Sequence, residues 1–210
     1  MALRLNGSSS GYVELDVPAD AGSHTLTLPD GGGDSGQYLQ TNGSGGLSWA
    51  TPAAGLTWNT LADNVSVGTG GAKTISGIDS NAKKVIMTFK NVSLNTGDEF
   101  YHMVGTTALN GSYATTGSRL TTASVVNAEA RTDYFKFPVD GASDSFHGII
   151  EYTYHGDNEW YSVAHINYSA NAWGIAIGKV DLAGSLERIG LGGLGASVFD
   201  AGTLSVFELV

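Results

Sequence analysis

IEYTYHGDNEWY, residues 150–161, is the stretch whose reading decides the fold. Ile150, Tyr152 and Tyr154 alternate with Glu151 and Thr153, the period-two pattern of a strand with one buried face. Gly156, Asp157 and Asn158 follow, residue types that accept a tight turn, and Trp160 and Tyr161 flank it on the far side. The stretch predicts a β-hairpin.

The same period recurs outward from it. Val85, Met87 and Phe89 alternate with Ile86, Thr88 and Lys90, and Leu204 and Val206 alternate with Ser205 and Phe207. Turn signals separate such runs at Gly70-Gly71, Asn95-Thr96-Gly97-Asp98, Asn110-Gly111, Gly156-Asp157-Asn158 and Ala201-Gly202. The 30 glycines carry no G-X-Y period, which excludes a collagen-like shaft and favours short strands joined by tight turns. Only Ser124 to Arg131, SVVNAEAR, has a helical look, satisfied equally by a single turn. The prediction for residues 57–210 is an antiparallel, jelly-roll-like β-sandwich. Its last segment, Gly202 to Val210, is expected inside a sheet, because an unpaired terminal strand is an aggregation edge.

Residues 172–180 divide into a bulky face of Trp173, Ile175 and Ile177 and a bare face of Gly174, Ala176 and Gly178. A bare strand face admits another backbone at close range. Two readings stand for it: packing within the sandwich, or contact with a neighbouring subunit.

Residues 1–50 read differently. Val13, Leu15 and Val17, then Leu26 and Leu28, form thin apolar stripes among Gly, Ser, Asn and Asp. A segment of about 50 residues without cysteine or metal seldom buries enough surface alone, so identical copies are expected to complete one another. Val13, Leu15, Val17, Leu26 and Leu28 are therefore candidate interface residues, with Gly174, Ala176 and Gly178 as a second set. Pro52 forces Thr51 toward extended geometry, and residues 51–56 are expected to link this module to a head at 57–210.

LRLNGS at 3–8, TLTLPD at 25–30 and SGQYLQTNGSGGLSW at 35–49 together resemble a module near the start of tail-fibre and other virion structural proteins of tailed bacteriophages, notably marine and cyanobacterial ones. The TISGI and FDAGTLSVFE segments resemble the C-terminal all-β domains of such proteins more loosely. The resemblance implies a homotrimeric tail fibre that joins other virion proteins of the tail or capsid, is made in the host cytoplasm and resides in the phage particle. A receptor-binding head contacting a cell-surface glycan or protein is the expected function. A capsid decoration protein or head fibre, and a stand-alone carbohydrate-binding module, are the alternatives.

Charge and composition narrow the partners. Charged residues make up 14% of the chain and hydrophobic ones 41%, enough for a core, and the formal net charge is -10 with no basic stripe. Nucleic acid and anionic membrane surfaces are therefore unexpected partners. The first ten residues have no apolar run of signal-peptide type, and no stretch approaches the roughly 18 apolar residues of a membrane span. Without cysteine there is no disulfide or thiolate chemistry.

Catalytic patterns fail on context. Gly7-Ser8-Ser9-Ser10-Gly11 satisfies G-x-S-x-G but precedes no helix. Gly190 to Gly195 satisfies G-x-G-x-x-G but has too little chain after it for a βαβ unit, and reads as a flexible turn. His24, His102, His147, His155 and His165 form no H-x-H or H-x-x-x-H pair, and neither Asp30 to Asp34 nor Asp157 to Glu159 matches a calcium loop. No enzyme activity, metal or cofactor is expected. The candidate receptor-binding residues are Tyr154, His155, Asp157, Asn158, Trp160 and Tyr161, with Tyr113 and Arg119 on a second loop. Aromatic rings stack on sugar C–H faces while amides and carboxylates bond hydroxyls.

Overall fold

A computed structural model describes residues 3–16, 18–20, 22–96, 100–109, 112–121, 125–127, 135–137, 145–169 and 172–210. For 100, 112–121, 125–127, 135–137, 168, 169 and 172 the backbone alone is described. The described residues are all-β with no helix, and they divide into two compact units, Met1–Gly55 and Leu56–Val210.

The first unit holds two hairpins. Strands β1 (Leu3–Asn6) and β2 (Tyr12–Leu15) pair with Leu3 opposite Leu15 and Leu5 opposite Val13, which puts four apolar side chains on one face of the ribbon. On the other face Arg4 bonds Glu14 at 2.6 Å and lies 4.0 Å over the Tyr12 ring. The turn between them carries the G-x-S-x-G match and is a hairpin loop, with Gly7 N donating to Gly11 O at 2.9 Å. Strands β3 (Tyr38–Thr41) and β4 (Leu47–Ala50) are joined by a turn in which the Asn42 side chain accepts from Ser44 N and Gly46 N. Thr27 bonds through its backbone to Gly45 and Leu47. Gly45 has a φ of 90°, and any Cβ there would run into the Thr25 carbonyl. The apolar residues stay uncovered: Leu5 is 57% exposed, Val13 65%, Leu15 62% and Leu28 70%. Val17 lies outside the described residues.

In the second unit the strands are β5 (Trp58–Ser66), β6 (Ala72–Ser76), β7 (Lys84–Leu94), β8 (Phe100–Gly105), β9 (Ser112–Thr121), β10 (Val125–Asn127), β11 (Phe135–Phe137), β12 (Ser145–Gly156), β13 (Glu159–Ser169), β14 (Ala172–Asp181), β15 (Arg188–Gly193) and β16 (Phe199–Leu209). One sheet has the order β10-β9-β14-β13-β12-β7-β16-β5, the other β11-β8-β15-β6, and all pairings between these strands are antiparallel. Eight of them pair in nested fashion: β5 with β16, β6 with β15, β7 with β12, β8 with β11. That nesting, with successive pairs alternating between sheets, is the jelly-roll winding expected from the sequence. The insertions β9-β10 and β13-β14 lengthen the first sheet beyond β12.

The alternating runs bury the predicted faces. Val85, Met87, Phe89, Ile150, Tyr152, Leu204 and Val206 are core residues of the large sheet, joined by Val104, Ile189 and Leu191 of the small one. The terminal strand β16 is paired on both sides, by β7 and β5.

Three sequence expectations are corrected. Ala201-Gly202 is no turn but a bulge within β16, where Gly202 has a φ of 113° and a Cβ would fall 2.5 Å from Val92 Cα. Gly190 to Gly193 are not a turn but lie in buried β15, where a Cβ on Gly190 would meet Leu109 and one on Gly192 the Tyr101 ring; close packing accounts for glycine there. In SVVNAEAR, Val125–Asn127 is strand β10, while Ser124 and 128–131 lie outside the described residues. Gly97, Asp98, Asn110 and Gly111 also lie outside them.

One polar bond crosses the core. His102 on β8 meets the Tyr152 hydroxyl on β12 through Nδ1, the rings edge-on at 5.4 Å, so the bond ties one sheet to the other. Burial holds the His102 pKa well below the ordinary 6.5. The folded state therefore resists protonation that the unfolded chain accepts, and stability present above about pH 6.5 is lost as pH falls toward the depressed folded value. Urea midpoints measured at pH 7.5 and 5.5 are expected to fall further in the native chain than in His102→Phe. Equal falls would rule out this linkage.

Candidate functional site

The β12–β13 hairpin turns through Asp157 and Asn158, at φ 48° and 60°, a left-handed pair matching the strand twist. A register shift lies between Tyr154 and Gly156, and the regular register before it pairs Tyr154 with Trp160 and Thr153 with Tyr161. Trp160 is 3% exposed and packs at 5.3 Å on Tyr154, itself partly buried against the core. His155 and Tyr161 face outward with ring centroids 4.4 Å apart and planes tilted by 53°, with Asp157 exposed beside them and Asn158 half-buried. The predicted cluster is thus divided. His155, Asp157 and Tyr161 stand on the surface, whereas Trp160 is removed from it by the core, a correction to its predicted receptor contact.

Charge is fixed close by. Lys179 bonds Glu159 and lies 3.3 Å from Asp181. The Lys179 bond holds the Glu159 carboxyl below the usual carboxylate value, and the bond from Tyr161 to Glu159 raises the phenol. Lys179 is raised in turn, chiefly by Glu159. Tyr113 and Arg119 fall on β9, where only backbone is described.

The outer face of β13 and β14 carries a surface that sequence reading missed. Tyr161, Val163, His165 and Asn167 of β13 point outward, opposite Lys179, Ile177, Ile175 and Trp173 of β14. Trp173 is 49% exposed and Ile177 57%. Gly174 and Ala176 point inward and are buried, with Gly178 half-buried on the same side, which removes these three as an exposed subunit contact and corrects that expectation. The small inner face suits β11, whose Cα atoms come within 8 Å of β14 and β9.

At the far end of this face lies a shallow groove of about 320 Å³ lined by His147, Gly148, His165, Ile166, Asn167, Trp173 and Gly174. Its construction follows from register. His147, Asn167 and Trp173 sit opposite one another across β12, β13 and β14 and make one wall; His165 stands on the next outward row. Gly148, Ile166 and Gly174 form the intervening row, whose backbone is the floor. The signal was present in the sequence as the phase of β13: once Trp160 is inward, His165 and Asn167 are outward and carry Trp173 with them. A second depression, of about 230 Å³ and lined in part by Asp63, Asn64 and Ser205, has polar groups that satisfy each other: Ser205 Oγ donates to Asp63 at 3.0 Å and accepts from Asn64 N at 2.8 Å. Among the described residues no group of three or more His, Asp or Glu is placed to hold a metal ion.

No protein-family model and no curated protein matches the chain. Among solved structures, the structure of infectious bursal disease virus Gx strain aligns at 12% identity over 98% of this chain and 48% of that one, with a TM-score of 0.11. The chain thus spans about half the length of that protein, and at such a score the likeness carries no argument.

Removing the Glu159 acceptor is expected to lower the Tyr161 pKa back toward 10, because the bond that favours the protonated phenol is gone. NMR of labelled tyrosine in Glu159→Ala against the native chain checks this, and an unchanged Tyr161 titration contradicts it.

Proposed function

We propose that the chain is a virion structural protein of a tailed bacteriophage, a homotrimeric tail fibre whose residues 1–50 assemble it and whose sandwich displays a host-attachment surface. The observation that carries the assembly half is the uncovered apolar face of the β1–β2 hairpin, where Leu3, Leu5, Val13 and Leu15 are each more than half exposed. Exposed apolar area of this kind is stabilised by association, at roughly 25 cal/mol per Å² removed from water before the losses of ordering. The residue order of 3–8, 25–30 and 35–49, which resembles virion fibre modules, supports the same reading. The attachment half is supported by the outward row of aromatic and amide side chains on β13 and β14. Three such heads on one stem gain avidity of about 10² to 10⁴ without strong single contacts.

Gold-labelled antibody against the sandwich, applied to purified particles of the phage whose genome encodes the protein, tests this location. Label is expected at the tail. Label over the shell transfers the assignment to capsid decoration, and particles without label contradict a virion role.

A further inference from the structure

We propose that the groove between His147, Asn167, Trp173 and His165 binds the ring of a neutral pyranose at the end of a surface glycan. The inference rests on the attachment reading for its biological setting and on the groove itself for its chemistry.

Size is the first argument. A depression of about 320 Å³ lies at the small end of the range of ligand sites, enough for one or two sugar rings and too small for a folded partner. Shape is the second. Trp173, half-exposed on the wall, offers an indole on which the C–H face of a pyranose can stack, and two of the three floor residues, Gly148 and Gly174, bring no side chain. Polarity is the third. Asn167 supplies both a donor and an acceptor to vicinal hydroxyls, and each imidazole adds one ring nitrogen of either kind. His147 Nδ1 already accepts a long bond from Asn91 N at 3.5 Å, so its contribution to a ligand comes from Nε2.

Charge selects among sugars. Among the described residues the lining contains no carboxylate, ammonium or guanidinium group, and the chain has a formal net charge of -10, so sialylated, uronic and phosphorylated rings are disfavoured. The site also stands apart from the hairpin tip: His155, Tyr161 and the Lys179–Glu159 pair lie at the other end of the same face.

Saturation-transfer NMR of the full chain with the methyl glycosides of glucose, galactose, mannose and N-acetylglucosamine tests the proposal. Transfer to the ring C–H protons of at least one is expected, with a Kd on the order of millimolar for a single ring. Trp173→Ala is expected to weaken it about tenfold or more, and Asn167→Ala several-fold, while Thr60→Ala, exposed on the far edge strand β5, leaves it unchanged. Unfolding midpoints and solution mass are recorded for each variant. Absence of transfer from all four probes overturns the proposal, as does undiminished transfer in folded Trp173→Ala and Asn167→Ala. A lower mass for Trp173→Ala overturns it too, by making the face a seam between copies. Failure here, with gold label still on the tail, removes the sugar site and leaves the fibre reading standing.

Discussion

Closure of the sandwich by its own last strand is the constraint on which the rest of the second unit depends. β16 lies between β7 and β5, and Thr57 and Val210 exchange two backbone hydrogen bonds at 2.8 and 2.9 Å, so the beginning and end of the unit are zipped together. The buried Glu208 carboxylate reinforces the seam by accepting from Asp79 N at 2.8 Å and from the Asn59 amide at 3.3 Å. Charged acceptors with such partners tolerate burial; without them the carboxylate is costly. Long-range pairing of this kind delays completion of the fold until the last residues are in place.

The outward face is a consequence of that closure. β12 has its inward set, Phe146, Ile150 and Tyr152, fixed by the core, and β13 and β14 can only continue the phase that β12 imposes. A slip of one residue would bury Asn167 and His165 and expose Trp160. Core packing thus sets which aromatic rings meet solvent, and the candidate site is read off the sheet's register rather than off any motif. Glycine and alanine on the inner side of β14 belong to the same arrangement, since they let the overlying strand approach while Trp173 and Ile177 are left outside.

Strong alternation was legible. The runs around Met87, Tyr152 and Val206 announced strands with correct inner faces, because each has several large residues at period two. Signals that depend on contacts across the sheet were not. Gly202 looked like a turn residue, yet its positive φ serves a bulge against Val92, and Gly190 to Gly193 looked flexible although Leu109 and Tyr101 fill the space their side chains would occupy. Residues 172–180 revealed two faces, but only pairing with β13 tells which is inner. At the hairpin tip the sequence placed Tyr154, Trp160 and Tyr161 together, and strand alternation sends Trp160 into the core beside Tyr154 while Tyr161, the next residue, faces solvent.

The first unit obeys a different economy of surface. Its hairpins are tied by backbone bonds and by Asn42 and Trp49, which bonds Gly31 O at 3.1 Å, but the apolar face of β1 and β2 remains uncovered. Sedimentation equilibrium on the full chain, beside a chain beginning at Thr57, addresses this most directly. Three chain masses are expected for the first and weaker association, down to a single chain, for the second. A full chain that sediments as one molecule at every concentration would contradict assembly through these residues.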